Sequence, residues 1–347
     1  MAIGNYFEYE LVDPFQLDLV LDVLEGVTGG KVTESYRGDY RSTASIDLDG
    51  DAPDARPLVR IWHVEESDAG QVRTELGTFT QGKPSLRYRN GRMVGSIPLY
   101  SAMYRLSLDI RPSTTTYAAG TRIVPLFESV VKDAGGTPWV HPALDRDAGF
   151  ASEKAWKGGQ SVLEMLHTCA SALGAMVGVD AHGRITLEPY QRPAKRSDSF
   201  AIDPGTADIL RDGVGITAAD WFNCAVVTAT VDEVEYVGTA KVDPTHPLHL
   251  HRIGYWKTDY MTMENPPESG VQDAVDAAAQ TRLAELTSMP NIYSAEMLHR
   301  NVTCGEVGTF WYQDSPDDDG LFVRALVTQR EIELTPSMRM RVTFEEV

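Results

Sequence analysis

The sequence predicts a mainly β protein with an α/β insert, an α+β chain, and three observations carry that reading. Residues 1–112 hold short alternating segments separated by turn residues. Ser161–Tyr190 reads as an amphipathic helix followed by a hairpin, and alternating or apolar segments resume after about residue 200. At 347 residues the length allows two or three domains. The changes of character place them at 1–112 (β), 113–196 (α/β insert) and 197–347 (a second β region with a helix near 269–286).

In the first segment, Leu17, Leu19, Leu21 and Val23 alternate with Asp18, Val20, Asp22 and Leu24, the pattern of a strand with one partly polar face. Ser42–Leu48 puts Ala44, Ile46 and Leu48 on one side, and Asp49-Gly50 then turns the chain. Leu58–Val64 and Thr74–Thr80 form the next pair, joined by a polar loop, Glu65–Gln71. Asn90-Gly91 lies between Arg87–Arg89 and Met93–Leu99. Both turn residues tolerate the positive φ that a tight hairpin requires. Strands so closely spaced suggest a barrel or a sandwich.

The insert begins with a helix over Arg122–Ala134, with Ile123, Leu126, Val130 and Val131 on its apolar side. Pro125 falls in the first turn, where a missing N–H costs little, and Gly135 ends the helix. The next helix carries Val162, Leu166, Cys169 and Leu173 as one stripe. Ser161 and Glu164 form a capping box, and Gly174 supplies a left-handed stop. Ala175–Val179 and Arg184–Leu187 are strands around the turn Asp180-Ala181-His182-Gly183. The polar, Pro-containing run Gln191–Ser199 marks a boundary.

Beyond it, Phe222–Val231 reads as a buried strand with Tyr236–Val242 as its partner. Ser269–Leu286 is a second α segment, with Ser269 and Gln272 as a capping box and Val275, Ala279, Leu283 and Leu286 as its stripe. Ala295–Val302, Leu321–Leu334 and Met338–Phe344 are the final strands, and Thr335-Pro336-Ser337 turns the last pair. No repeat at a fixed period and no low-complexity tract occurs.

Composition excludes some functions. Fifty Asp and Glu against 31 Lys and Arg leave a net charge of −19. Nucleic-acid binding draws its affinity from basic residues on phosphates, so this balance argues against it, and against an anionic membrane surface. Met1–Pro14 has neither a basic n-region nor an apolar h-region, and no run of about 18 apolar residues occurs. Synthesis in a cytoplasm, with no membrane-spanning segment, is the expectation. Cys169, Cys224 and Cys304 are far apart and read as small buried hydrophobes in a reduced compartment.

Candidate chemistry is sparse. His246, His249 and His251 place three imidazoles within six residues, a zinc-like grouping in which His249 and His251 share a face if the segment is a strand. It matches no helix-borne HExxH pattern, and a loop-to-strand edge is the plainer reading. Asp47–Asp51 and Asp314–Gly320 are acidic turns that lack the alternation and closing Glu of a calcium loop. Nucleophile-elbow, phosphate-loop and dinucleotide signatures are missing. His141 and His167 are isolated, the latter beside a helix stripe and read as structural. The six tryptophans, Trp62, Trp139, Trp156, Trp221, Trp256 and Trp311, are scattered and fit core or interface anchoring better than a sugar platform. No catalytic, cofactor-binding or metal residue is assigned.

Four local motifs share an order that is informative. They are Tyr36–Ile46, Glu75-Leu76-Gly77-Thr78-Phe79, the helix-hairpin Ser161–Tyr190, and Phe322–Leu334 followed by Thr335-Pro336-Ser337-Met338. In this arrangement the chain resembles the baseplate or tail-tip hub proteins of long-tailed bacteriophages and related contractile injection systems. The resemblance implies two tail-tube-like β domains of barrel or sandwich type, with the α/β insert at the periphery. It implies a homotrimer that presents a pseudo-sixfold ring to a hexameric tube and a threefold face to a central fibre or spike. The implied partners are a distal tail or tail-tube protein, a tape measure protein, the fibre or spike, and genomic DNA passing through the lumen without specific binding. An acidic lumen wall would repel that DNA. Some relatives continue into a lysozyme or peptidase domain; here Val347 follows the closing strands directly, so no appended hydrolase is expected. The alternatives are a tail-associated peptidoglycan hydrolase using the His246–His251 segment, and a carbohydrate-binding module.

Overall fold

Strands dominate because apolar residues alternate with polar ones wherever turn residues leave room for a few of them. The computed structural model describes residues 2–51, 53, 57–68, 70–202, 209–218, 221–231, 234–263, 266–267, 269–287, 291–312 and 320–347. They form two units, one of residues 1–214, 294–345 and 347, the other of residues 215–293 and 346. The 197–347 segment is thus divided between both.

The first unit opens with β1 (Ala2–Val12), β2 (Val20–Val23), β3 (Val27–Ser35), β4 (Ser42–Gly50), β5 (Leu58–Ser67), β6 (Gly70–Gln81), β7 (Ser85–Arg89) and β8 (Arg92–Tyr100). Then come α1 (Ala102–Leu108), β9 (Thr115–Tyr117), α2 (Ile123–Asp133), β10 (Pro138–Val140), β11 (Lys154–Trp156), α3 (Val162–Ala172), β12 (Ala175–Val179), β13 (Ile185–Pro189), β14 (Phe200–Ile202) and β15 (Ile209–Ala218), whose last four residues are assigned to the second unit. The second unit holds β16 (Cys224–Val231), β17 (Val234–Lys241), α4 (Leu250–Ile253), β18 (Thr258–Thr262) and α5 (Val271–Thr287). The chain re-enters the first unit in β19 (Asn291–Leu298) and finishes with β20 (Val307–Tyr312), β21 (Leu321–Glu333) and β22 (Arg339–Glu346).

From β19 the main sheet runs β19-β22-β21-β3-β4-β8-β6-β5-β1-β2, with β7, β14 and β20 attached beside this path. The path is open. The barrel that the strand spacing suggested does not close among the described strands, because β2 ends the order with β1 as its one partner there. Alternation works as read in β4, where Ala44, Ile46 and Leu48 are buried and Ile46 lies opposite Ile97. Burying Ile46 or Leu48 contributes about 1.5–3 kcal/mol each, and Ala44 less.

Other expectations change. The segment Leu17–Leu24 is a strand only over Val20–Val23, since the Asp13 carboxylate accepts from the amides of Phe15 and Gln16 and starts a turn. Leu17 and Leu24 are the buried anchors, and the four strand residues between them are exposed. Glu65–Gln71 is not a loop. β5 and β6 stay paired out to Ser67 and Gly70, and their polar residues belong to an extension wetted on its outer reaches. Asn90 and Gly91 do adopt positive φ, 49° and 82°, at the turn of the β7–β8 hairpin. Eleven described elements, β1, β3, α1, β9, β10, β11, β14, β15, α4, β18 and β20, stood outside the predicted set. Val302, placed in a strand by the sequence, sits buried in the loop after β19.

α1, α2 and α3 share one core with the three-stranded sheet β10-β13-β12. The capping box at Ser161 forms in full, with Glu164 N donating to Ser161 Oγ at 3.2 Å and Ser161 N to Glu164 Oε2 at 2.6 Å. Gly135 and Gly174 follow their helices at φ 73° and 59°.

In the second unit α5 covers the sheet β17-β16-β18 through Val271, Val275 and Ala279. Its backbone comes so near β17 that a Cβ on Gly238 would lie 2.3 Å from the carbonyl oxygen of Val275. The capping box of Ser269 and Gln272 is not formed. α5 starts at Val271 after Gly270 at φ 70°, and the Gln272 amide donates to Val237 O and Asp276 instead.

Candidate functional site

The histidine cluster is organised by one buried asparagine. Asn223 donates to Leu248 O at 2.9 Å and Tyr255 O at 3.0 Å and accepts from Lys257 N at 2.6 Å, which fixes the loop after β17. His246 Nδ1 accepts from Leu248 N, and His249 Nδ1 accepts from His251 N as the cap of α4. The segment is therefore a turn and a short helix, not the strand on which His249 and His251 would share a face. The His249 ring packs against Trp256, centroids 5.3 Å apart. Among the described residues no three His, Cys, Asp or Glu side chains converge as a metal site.

The other sequence candidates also separate. Asp47–Gly50 belongs to β4, and 314–319 of the acidic run Asp314–Gly320 lie outside the described residues. His141 Nδ1 accepts from Ala143 N, and His167 is exposed on α3. Burial pushes the thiols of Cys169 and Cys304 up to about 12, the opposite of an activated nucleophile. Trp62 binds Glu10, Trp156 packs in the insert core with Tyr117 and Phe150, and Trp221 lies beside Tyr255 in the other unit. They form no common platform.

The polar groups that do meet lie in the first unit. Arg60, 4% exposed, reaches Glu75 at 2.7 Å, Thr78 Oγ1 at 3.0 Å and Leu17 O at 2.7 Å. His182, on the turn between β12 and β13, stands 3.1 Å from Asp18 and 3.4 Å from Glu75. This network ties the insert hairpin to the β5–β6 pair. A second network pairs buried Arg330 with Glu34, while Arg330 also donates to Val302 O at 2.8 Å. Between the networks lies a cavity of about 550 Å³ lined by Tyr36, Arg41, Thr78, Asp180, Arg196 and Arg330, among others. Nearby, His63 and His299 meet edge to face at 5.4 Å. Burial, then Arg330 and His63, lower His299 to about 4. These groups pair with one another, except that the buried Arg330 Nε has no hydrogen-bond partner. The sequence signal for the first network was a charge inside an apolar run, Arg60 and His63 in LVRIWHV; Arg330, in the polar stretch TQRE, carried no such signal.

The surface of this unit is less ordinary. All four residues of β2 are exposed, as are Phe15 and Leu19 just before it. Asp18, Asp22 and Glu25 punctuate that apolar stretch. The β7–β8 hairpin is the counterpart in charge: Lys83, Arg87, Arg89 and Arg92 are exposed beside Tyr88, which is 74% exposed. No Asp or Glu occurs anywhere from residue 76 to residue 108. Among the described residues no helix is long and apolar enough to cross a membrane.

Comparisons with known proteins follow the fold. No family model and no curated protein matches the sequence. The structure is similar to a 43 kDa tail protein of prophage MuSo2 from Shewanella oneidensis, with TM-score 0.65 and 10% identity over 98% of each chain. It is similar to a tail protein from Neisseria meningitidis MC58, with TM-score 0.67 and 11% identity over 99% of this chain and 97% of that one. A chain of the Francisella PdpA-VgrG complex matches 99% of this chain and 57% of its own length, with TM-score 0.55 and 8% identity. The protein thus has the mainly β, α+β fold of phage tail proteins from end to end, the fold that the motif order suggested.

Proposed function

We propose that the chain is a structural hub of a bacteriophage tail tip, carried in the virion and acting without turnover. The observation that carries this reading is the likeness to two prophage tail proteins over essentially the whole length of each chain. The polar networks support it, since they join the insert to the sheet instead of presenting a nucleophile and base. On this reading three copies form a pseudo-sixfold ring. One face meets the tail-tube or distal tail protein, the other receives a fibre or spike, and the tape measure protein and DNA occupy the lumen. The net charge of −19 suits a wall along which DNA slides without sticking. On this reading 1–112 supplies one tube-like domain and 113–196 the insert, while the second tube-like domain, from 197–347, is discontinuous, since that segment is divided between the two units.

The test is mass in solution by light scattering, with bound metal assayed on the same fractions, for the chain alone and mixed with its tail-tube protein. A metal-free trimer, three times 38.2 kDa, is the expected result in at least one of the two. A chain that stays monomeric in both and carries stoichiometric zinc would overturn the reading in favour of a hydrolase.

A further inference from the structure

Two free sheet edges of the first unit are matched in polarity and opposite in charge. β2 ends the main sheet, and both of its faces are exposed: Val20 and Asp22 on one, Leu21 and Val23 on the other. An apolar strand at an open edge is a template for another strand, and soluble chains normally blunt it with charge, proline or a cover. Here the charges present are acidic. The second edge is β7, whose one partner among the described strands is β8. It carries Arg87 and Arg89 about an exposed Tyr88, with Lys83 before it and Arg92 after the turn. It lies within the acid-free stretch 76–108 of a chain that otherwise averages one acid in every seven residues.

We infer that β7 of one copy docks on β2 of the next, a head-to-tail strand addition that covers both edges. The inference rests on the homotrimer proposed above and assigns its contact. Strand addition supplies backbone hydrogen bonds, while alternate side chains select the partner. Tyr88 would lie along the apolar residues of β2, and the arginines against Asp22 and Glu25. Because the two edges differ, the contact is heterologous and generates a ring when the rotation closes. Like edges would not serve, since β2 on β2 opposes acids and β7 on β7 opposes arginines. The apolar share of both edges points to a protein partner before a polyanion.

The experiment is sedimentation velocity on four full-length chains: wild type, R87E/R89E, D22K/E25K, and the chain with all four substitutions. All four positions are exposed, and circular dichroism checks folding. Either double variant should weaken self-association by about tenfold or more, because like charges then face each other. The quadruple variant should restore it, a recovery that a misfolded chain does not show. D22K/E25K makes the chain less acidic, so tighter association of that variant would mean that net repulsion governs and would overturn the inference. A trimer that persists in R87E/R89E overturns this contact and leaves the ring standing. A wild type that never associates, alone or with its tube protein, overturns both. If R87E/R89E loses affinity for a DNA duplex and keeps its self-association, the hairpin contacts polyanion and the inference fails.

Discussion

His299 is the residue whose surroundings most constrain the protein's response to acid. Its ring faces Arg330 and His63, and burial together with those two neighbours holds its pKa near 4, below the ordinary 6.5. His63 is lowered as well, by burial, with Glu65 opposing the shift, and its ring contacts Phe7 and Asn5. The folded state therefore binds fewer protons than the unfolded chain between those values, so stability is full above about pH 6.5 and falls as pH drops toward 4. Thermal melts at pH 7 and pH 4.5 should show this loss, and H299Q should reduce the difference; an unchanged difference would mean other groups carry it. Arg60 gives a larger effect of another kind. Glu75→Ala leaves a nearly buried guanidinium without its carboxylate, and the expected cost in denaturant unfolding is about 3–5 kcal/mol. Glu75→Gln, which keeps an acceptor for Arg60, should lose less.

At the scale of elements, legibility in the sequence follows how locally each one is determined. α3 carries its start, stripe and stop within fourteen residues, Ser161 to Gly174, and forms where the sequence puts it. S161A removes one half of that capping box and should cost about 1 kcal/mol in denaturant unfolding. α1 was hidden because seven residues hold too few periods, and its buried Ala102, Met103 and Leu106 gain meaning only against α3, β6 and β12. β1 does carry a local signal, Phe7, Tyr9 and Leu11 alternating with Glu8 and Glu10, and the two acids pair with Arg73, on β6. The His246–His251 segment misled because a strand face assumes extended backbone, whereas Asn223, far off in sequence, folds it into a turn. The candidate surfaces were partly legible. The hairpin turn at Asn90-Gly91 could be read locally, but that β2 and β7 are edges is a property of sheet order, which no window of sequence contains.

For the whole molecule, the division into two units has a thermodynamic consequence. Unfolding need not be a single all-or-none step when the chain contains more than one core. G238A puts a methyl against the Val275 carbonyl oxygen, so overpacking should cost about 1–3 kcal/mol in the second unit. Hydrogen exchange read by mass spectrometry should then show lost protection in β16, β17 and α5, while β4 and β8 keep theirs. Equal loss in both sets would mean that the two cores unfold together.

The pairing of β3 with β21 also sets a schedule. Val32 lies opposite Ile332, and Lys31 meets Glu331 across 300 residues of chain. At a synthesis rate of about 5–20 residues per second, the ribosome delivers that partner roughly 15–60 s after β3 emerges. Throughout the interval one flank of a nascent strand has no mate. The composition of β3 suits such a delay: Gly29-Gly30, Lys31, Thr33 and Glu34 leave Val27 and Val32 as its aliphatic residues. A strand that must wait so long for its neighbour is kept from sticking to anything else by being polar.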